Sequence, residues 1–166
     1  MATPTNLPAS FVSGAILTAA QQNDLRGAFR VLQVVSASTT TETSNSTTTY
    51  ADTTLTATIT PQATSSKILV YVSHPNNYKS NGSANNSITF QLLRDATAIY
   101  NFNRLLGFTN TATELYFSTN AIYLDSPATT SATTYKTQFK NEVAASLVRV
   151  QAATLGSQIV LMEISA

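Results

Sequence analysis

A single histidine bounds the acid–base chemistry open to this 166-residue chain. Any histidine general base, zinc triad or Ser-His-Asp relay has to use His74. It stands beside Pro75 at a strand-to-loop corner in Asn-rich sequence, and no G-x-S-x-G elbow occurs anywhere, so His74 reads as a solvated surface group. A glycosidase needs two carboxylates facing each other at about 5 to 9 Å. The eight available are Asp24, Glu42, Asp52, Asp95, Glu114, Asp125, Glu142 and Glu163. Asp95 and Asp125 fall in predicted turns, where Asp bonds nearby backbone amides. Glu163 interrupts an apolar strand, so its carboxylate needs a partner, and Arg149 on the preceding strand is the first candidate. A structural role suits these carboxylates better than a catalytic one.

Other chemistries are closed off by composition. The five glycines, at 14, 27, 82, 107 and 156, spell neither G-x-x-x-x-G-K nor G-x-G-x-x-G, which removes phosphate-cradling loops. Calcium loops of the D-x-[DN]-x-[DN]-G kind are missing as well. The chain has no cysteine, so neither disulfides nor thiolate zinc sites contribute. No catalytic residue, metal or cofactor is expected. What remains is carbohydrate recognition, in which aromatic faces stack on sugar rings while Asn and Ser bond hydroxyls. Most tyrosines occupy strand positions. Tyr78 lies instead in the Asn-rich stretch and is the first glycan-contact candidate, with Asn76, Asn77 and Asn81 around it.

The elements that must position these residues are strands. Only 10% of residues are charged, against about 25% in an ordinary chain, while Thr and Ser supply roughly 28%. Threonine solvates a surface best on a strand, its methyl packed and its hydroxyl in water. Leu55-Thr56-Ala57-Thr58-Ile59-Thr60 shows this two-residue period directly. Net charge is +1 and the nine basic residues are scattered, leaving no electrostatic footprint for nucleic acid. No apolar run of about 18 residues exists to span a membrane, and the N-terminus has no basic start or apolar core of a secretory signal.

Residues 1 to about 16, with Pro4, Pro8 and Gly14, suit an extended arm. Thr18 and Gln21 then form a capping box, and Arg26 with Gly27 closes a short helix. About nine residues of isolated helix are marginal in water. Arm and helix, residues 1–28, therefore read as a docking element whose contacts are Leu7, Phe11, Ile16, Leu17 and Leu25. From Phe29 the period is two. The Ser/Thr tract 37–49 reads as an edge strand or ordered loop. Strands follow near 47–60, 67–73, 87–94, 98–102, 114–124, 135–140, 146–151 and 158–165, with exposed loops at 74–86 and 109–113. Those near 68–72 and 159–164 are apolar on both faces and demand cover. Eight to ten short strands without a second helix predict one all-β domain over 29–166. Its expected form is a jelly-roll-like antiparallel β-sandwich with an N-terminal extended arm and one short helix.

Several segments resemble virion structural proteins of tailed bacteriophages, a family frequent in marine phages. They are Val31-Leu32-Gln33-Val34-Val35 followed by the Thr/Ser tract, Thr60-Pro61, and Ser65-Ser66-Lys67-Ile68-Leu69-Val70. Tyr123 to Thr130 with Tyr135, and the closing Leu161-Met162-Glu163-Ile164, continue the match. Gly14-Ala15-Ile16-Leu17-Thr18-Ala19-Ala20, with Asn23 and Leu25, looks like the leading segment of many phage fibre proteins. The resemblance implies a non-enzymatic component of the particle, assembled in the host cytoplasm: a homotrimeric tail or head fibre, or a capsid decoration protein, bound to other virion proteins. A host-receptor module that binds surface glycan at its outer loops is the other expectation. Neither nucleic acid nor membrane insertion belongs to either.

Overall fold

A computed structural model describes residues 31–165 together with Gly14, Ile16, Thr18 and Ala19. Leu7, Phe11, Leu17 and Leu25, and with them the expected helix, lie outside the described residues apart from Thr18 and Ala19. Ile16 is described and is 94% exposed.

Among the described residues the chain forms ten strands: β1 (Val31–Thr39), β2 (Thr43–Asn45), β3 (Ala51–Ile59), β4 (Lys67–Lys79), β5 (Ile88–Arg94), β6 (Thr97–Leu106), β7 (Leu115–Asp125), β8 (Thr133–Asn141), β9 (Val148–Val150) and β10 (Ser157–Ile164). A single 3-10 turn, Ala152–Thr154, joins the last two. All pairings are antiparallel, and two sheets result. One runs β3-β8-β5-β6. The other has six strands in the path β1-β10-β4-β9-β2, with β7 on the far side of β4. Strand β4 organises this second sheet because, at 13 residues, it is long enough to pair β10 along its first half, β9 at its end and β7 along most of its length.

Two-residue periodicity decides which side of each strand is covered. In β3, Leu55, Ala57 and Ile59 are buried while Thr54, Thr56 and Thr58 face water, as the alternation predicts. They meet Ile68, Val70 and Val72 of β4, Ile159 and Leu161 of β10, Leu92 of β5 and Tyr135 of β8 in one core cluster drawn from both sheets. A second cluster collects Ile88, Phe90, Phe139, Val148 and Val150. Each fully buried aliphatic or aromatic side chain contributes about 1.5–3 kcal/mol, which makes these two clusters the principal source of stability in a chain without disulfides.

The structure corrects three expectations. The exposed loop expected over 74–86 begins only at Ser80, because β4 continues through His74 to Lys79. Pro75 does not end the strand. A bulge between His74 and Asn77 shifts the register against β7, and a proline without an N–H is tolerated where the ladder is already broken. His74 is consequently fully buried rather than solvated. Glu163 does not meet Arg149, since β10 pairs β1 and β4 and not β9. Its carboxylate accepts from Gln33 Nε2 at 2.6 Å and from the backbone N–H of Gln62 at 2.7 Å. Burial alone would raise its pKa, and the hydrogen bonds it accepts outweigh that and hold the group below the usual glutamate range. Arg149 pairs instead with Glu42 at 3.5 Å.

One glycine is required by geometry. Gly107, after β6, has φ +74°, and a Cβ there would lie 2.3 Å from Cε1 of Phe117, which packs against the second core cluster. Gly107→Ala is expected to cost roughly 1–3 kcal/mol through backbone strain and overpacking, seen as a lower urea midpoint at unchanged slope.

Candidate functional site

The polar interior gathers where β4 bulges. His74 Nδ1 lies 2.7 Å from Ser157 Oγ on β10, and Nε2 lies 3.1 Å from Thr137 Oγ1 on β8. Thr137 in turn touches Thr53 Oγ1 on β3 at 2.6 Å. Gln151, held at φ 53° after β9, completes the group. With its amide nitrogen facing the carbonyls of Thr41, Val150 and Thr53, each at 3.2 Å, its oxygen accepts from Ser157 Oγ at 2.8 Å. In that arrangement Ser157 receives a bond from His74 Nδ1–H, and the neutral ring's Nε2 accepts from Thr137. The imidazole stacks on Phe90 at 5.2 Å between ring centroids. Burial pushes its pKa down to about 3, so the ring is neutral. Ser157 and His74 resemble a nucleophile and base in spacing only. Both are fully buried, and the serine proton points to an amide oxygen rather than to the imidazole. The cluster ties β3 and β8 of one sheet to β4 and β10 of the other.

The carboxylates are likewise committed one by one. Asp125, at the end of β7, accepts from Arg94 Nη1 at 2.9 and 3.0 Å and from Tyr135 Oη at 2.6 Å, a second polar link between the sheets. Burial and this carboxylate together push the Tyr135 phenol upward. Asp52 accepts from Lys136 and Gln138, Asp95 receives the backbone N–H of Thr134, and Glu142 lies 3.3 Å from Lys140. Asp24 is outside the described residues. Among those described, no group of three or more potential metal ligands converges. Lys79 carries an unusual burial: it has no exposed surface, and its ammonium donates to Thr109 Oγ1 beneath the loop that follows β6. Desolvation pushes its pKa down.

The four residues proposed for glycan contact separate. Asn77 is fully buried and donates to the carbonyls of His74 and Phe117. Asn76 is half-buried and donates to the Ala152 carbonyl, while Asn81 is exposed. Tyr78 is buried between the Arg149 guanidinium, 5.3 Å from its ring centre, and Tyr116 at 5.0 Å. Its hydroxyl donates to Glu114 at 2.8 Å, and that bond raises its pKa. The aromatic of this cluster that reaches water is therefore Tyr116, 62% exposed, while Arg149, paired with Glu42, lies on the other side of Tyr78. A period-two reading of Tyr116, Ser118, Asn120, Ile122 and Leu124 carried the signal, for it puts all five on one side of a strand.

That same side of the six-stranded sheet holds the least ordinary surface of the molecule. Opposite the core, register aligns Val34, Met162, Leu69 and Leu124 in one cross-strand row, and Ser36, Val160, Tyr71 and Ile122 in the next. Val34 is 57% exposed, Leu124 54% and Ile122 64%, and none of the eight carries a charge. Strands β4 and β10 are apolar on both faces, as expected, and among the described residues one face of each packs into the core. Seven residues along β4, about 23 Å at strand rise, separate this patch from the Tyr78–Tyr116 cluster.

His74 makes a pH dependence testable. Its folded pKa lies below the ordinary 6.5, so the unfolded chain takes up the proton first, and stability falls as pH drops below 6.5 until the folded value near 3 is passed. Between pH 7 and pH 5 this group alone is expected to remove about 2 kcal/mol. Urea unfolding at the two pH values measures it, and His74→Gln should lose that share of the difference. No protein-family model and no curated protein matches the chain in sequence comparison.

Proposed function

We propose that this chain is a non-enzymatic structural protein of a tailed-bacteriophage particle. It forms a trimeric fibre or capsid-decoration appendage, docked through residues 1–28, with its β-domain projecting outward. The observation that carries this reading is the pair of uncharged, exposed apolar rows on the outer face of the six-stranded sheet. An apolar sheet face left open to water marks a contact surface, and identical copies are the simplest source of a partner. The strand orders support a jelly-roll sandwich as its architecture. Leaving out the short β2 and β9, the sheets run β1-β10-β4-β7 and β3-β8-β5-β6, the interleaved pattern of an eight-strand jelly roll. That architecture recurs in viral shells and in lectins. The hydroxyl-rich, nearly neutral surface and the segment resemblance to phage virion proteins point the same way.

Light scattering on the purified full-length chain is expected to give the mass of three subunits, and Leu124→Asp should lower it. Residues 1–28 are expected to be required for incorporation into particles but not for the fold. A truncated chain that still enters particles at the parental level removes the docking role. Imaging of intact particles then tells shell, neck and tail apart.

A receptor-binding role is favoured by one specific observation, the exposed Tyr116 ring packed on Tyr78, whose hydroxyl is bonded to the Glu114 carboxylate. A sugar face stacks on such a ring while a neighbouring carboxylate bonds its hydroxyls. Retention on a glycan array that Tyr116→Ala abolishes is the expected outcome for this role. Equal signals from both proteins exclude the cluster.

A further inference from the structure

We infer that the apolar outer face of the six-stranded sheet is covered by a second copy of this chain presenting its β6–β7 side, so that subunits join head to tail. The inference rests on the proposed self-association and names the two surfaces that meet. The two lateral sides of the molecule differ. Where β1 and β3 run together, side chains lace the sheets: Gln33 Nε2 donates to the Thr60 carbonyl at 2.7 Å, and Thr39 bonds Thr54 at 3.1 Å. On the other side β6 and β7 are sheet edges, as β1 and β3 are, and Asn103 of β6 donates to Thr119 of β7, but this side leaves apolar side chains open. Tyr100 of β6 stacks on Tyr123 of β7 at 5.0 Å, and Tyr100, Leu105 and Phe108 remain 37%, 43% and 49% exposed. Long edge strands with open backbone and apolar side chains are a liability that folded proteins cover.

Coverage decides between pairing modes. The two apolar rows and the adjoining Ser38, Gln158, Ser73 and Asn120 row occupy roughly 400 Å² at ordinary sheet spacings. A stable interface takes about 800 Å² from each partner, so a single contact of this face is small. Face packed on face would leave both edges open. In a head-to-tail ring each copy buries its face against one neighbour and its edge against another, so both apolar surfaces are covered and each copy is held by two contacts. Charge does not oppose the match: the apolar rows carry none, and Arg104 is the single charge within β6.

Complementation tests the contact. The face variant Tyr71→Asp/Ile122→Asp and the edge variant Leu105→Asp/Phe108→Asp change exposed positions, and far-UV circular dichroism checks that both keep parental strand content. Each alone is expected to sediment as one subunit, with association weakened at least tenfold. Mixed one to one they form a two-subunit particle, because one intact face meets one intact edge. An edge variant that associates like the parent, or a mixture that stays monomeric, overturns the head-to-tail contact while self-association stands. A parent that is monomeric throughout removes self-association itself. Should a charged variant misfold, Tyr71→Cys/Tyr100→Cys in this cysteine-free chain serves instead. A short bismaleimide is expected to link its subunits into a ladder ending at the closed ring, with neither single variant cross-linking. Dimers from Tyr71→Cys alone, or no ladder from an associated double variant, overturn the contact.

Discussion

Burial of alternate residues on β4 is the constraint on which the rest of the structure depends. Ile68, Val70 and Val72 fill the space between the sheets and meet Leu55 and Ile59 from β3 and Ile159 and Leu161 from β10. A slip of one residue would turn all three to water and bring Leu69 and Tyr71 inside, so the register with β10 and β7 is specified strongly. The bulge at His74–Asn77 then resets the alternation for the last part of the strand. It points His74, Asn77 and Lys79 inward, and leaves Tyr78 on the outer side against Tyr116. Interior polarity at one end and the aromatic cluster on the surface both follow from that local break.

Polar groups are used inside this fold as connectors. His74, Ser157, Thr137, Thr53 and Gln151 exchange hydrogen bonds across the two sheets. Arg94, Asp125 and Tyr135 do the same elsewhere. Buried polar atoms are costly unless satisfied, and a satisfied network selects one packing among the many that apolar side chains alone would tolerate. A core rich in threonine gains this kind of specificity without burying many charges. Glu163 shows how the exception is handled, its carboxylate held by amide donors instead of a cation.

The outside divides according to the same chemistry. Threonine hydroxyls coat the solvent side of β3, whereas the outer side of β1, β10, β4 and β7 carries Val34, Met162, Leu69, Leu124, Val160, Tyr71 and Ile122 in two adjacent rows. One domain thus has a surface rich in hydroxyls and a surface with exposed apolar rows. Inside, each described carboxylate already has a donor, and the imidazole of His74 is sealed from solvent.

Local composition and period were sufficient for the strands themselves. Leu55 to Thr60, the 87–102 hairpin and the apolar character of 68–72 and 159–164 were legible because side-chain alternation is a property of neighbouring residues. The partners those strands take come from pairing between distant segments. Arg149 is near Glu163 along the chain's strand order, yet β10 lies beside β4 and β1, and hydrogen-bond pairing between distant segments leaves no local trace. The same reason explains His74, Asn77 and Tyr78. Pro75 and the surrounding asparagines carry the local chemistry of a turn, and it took the long pairing of β4 with β7 to hold them in a bulged strand and bury them. Two-residue alternation and threonine content specify a hydroxyl-coated β domain with surplus apolar faces. Which of those faces the core covers was settled by the stacking of two sheets, since each sheet has two sides and, among the described residues, only one side of each packs into the core.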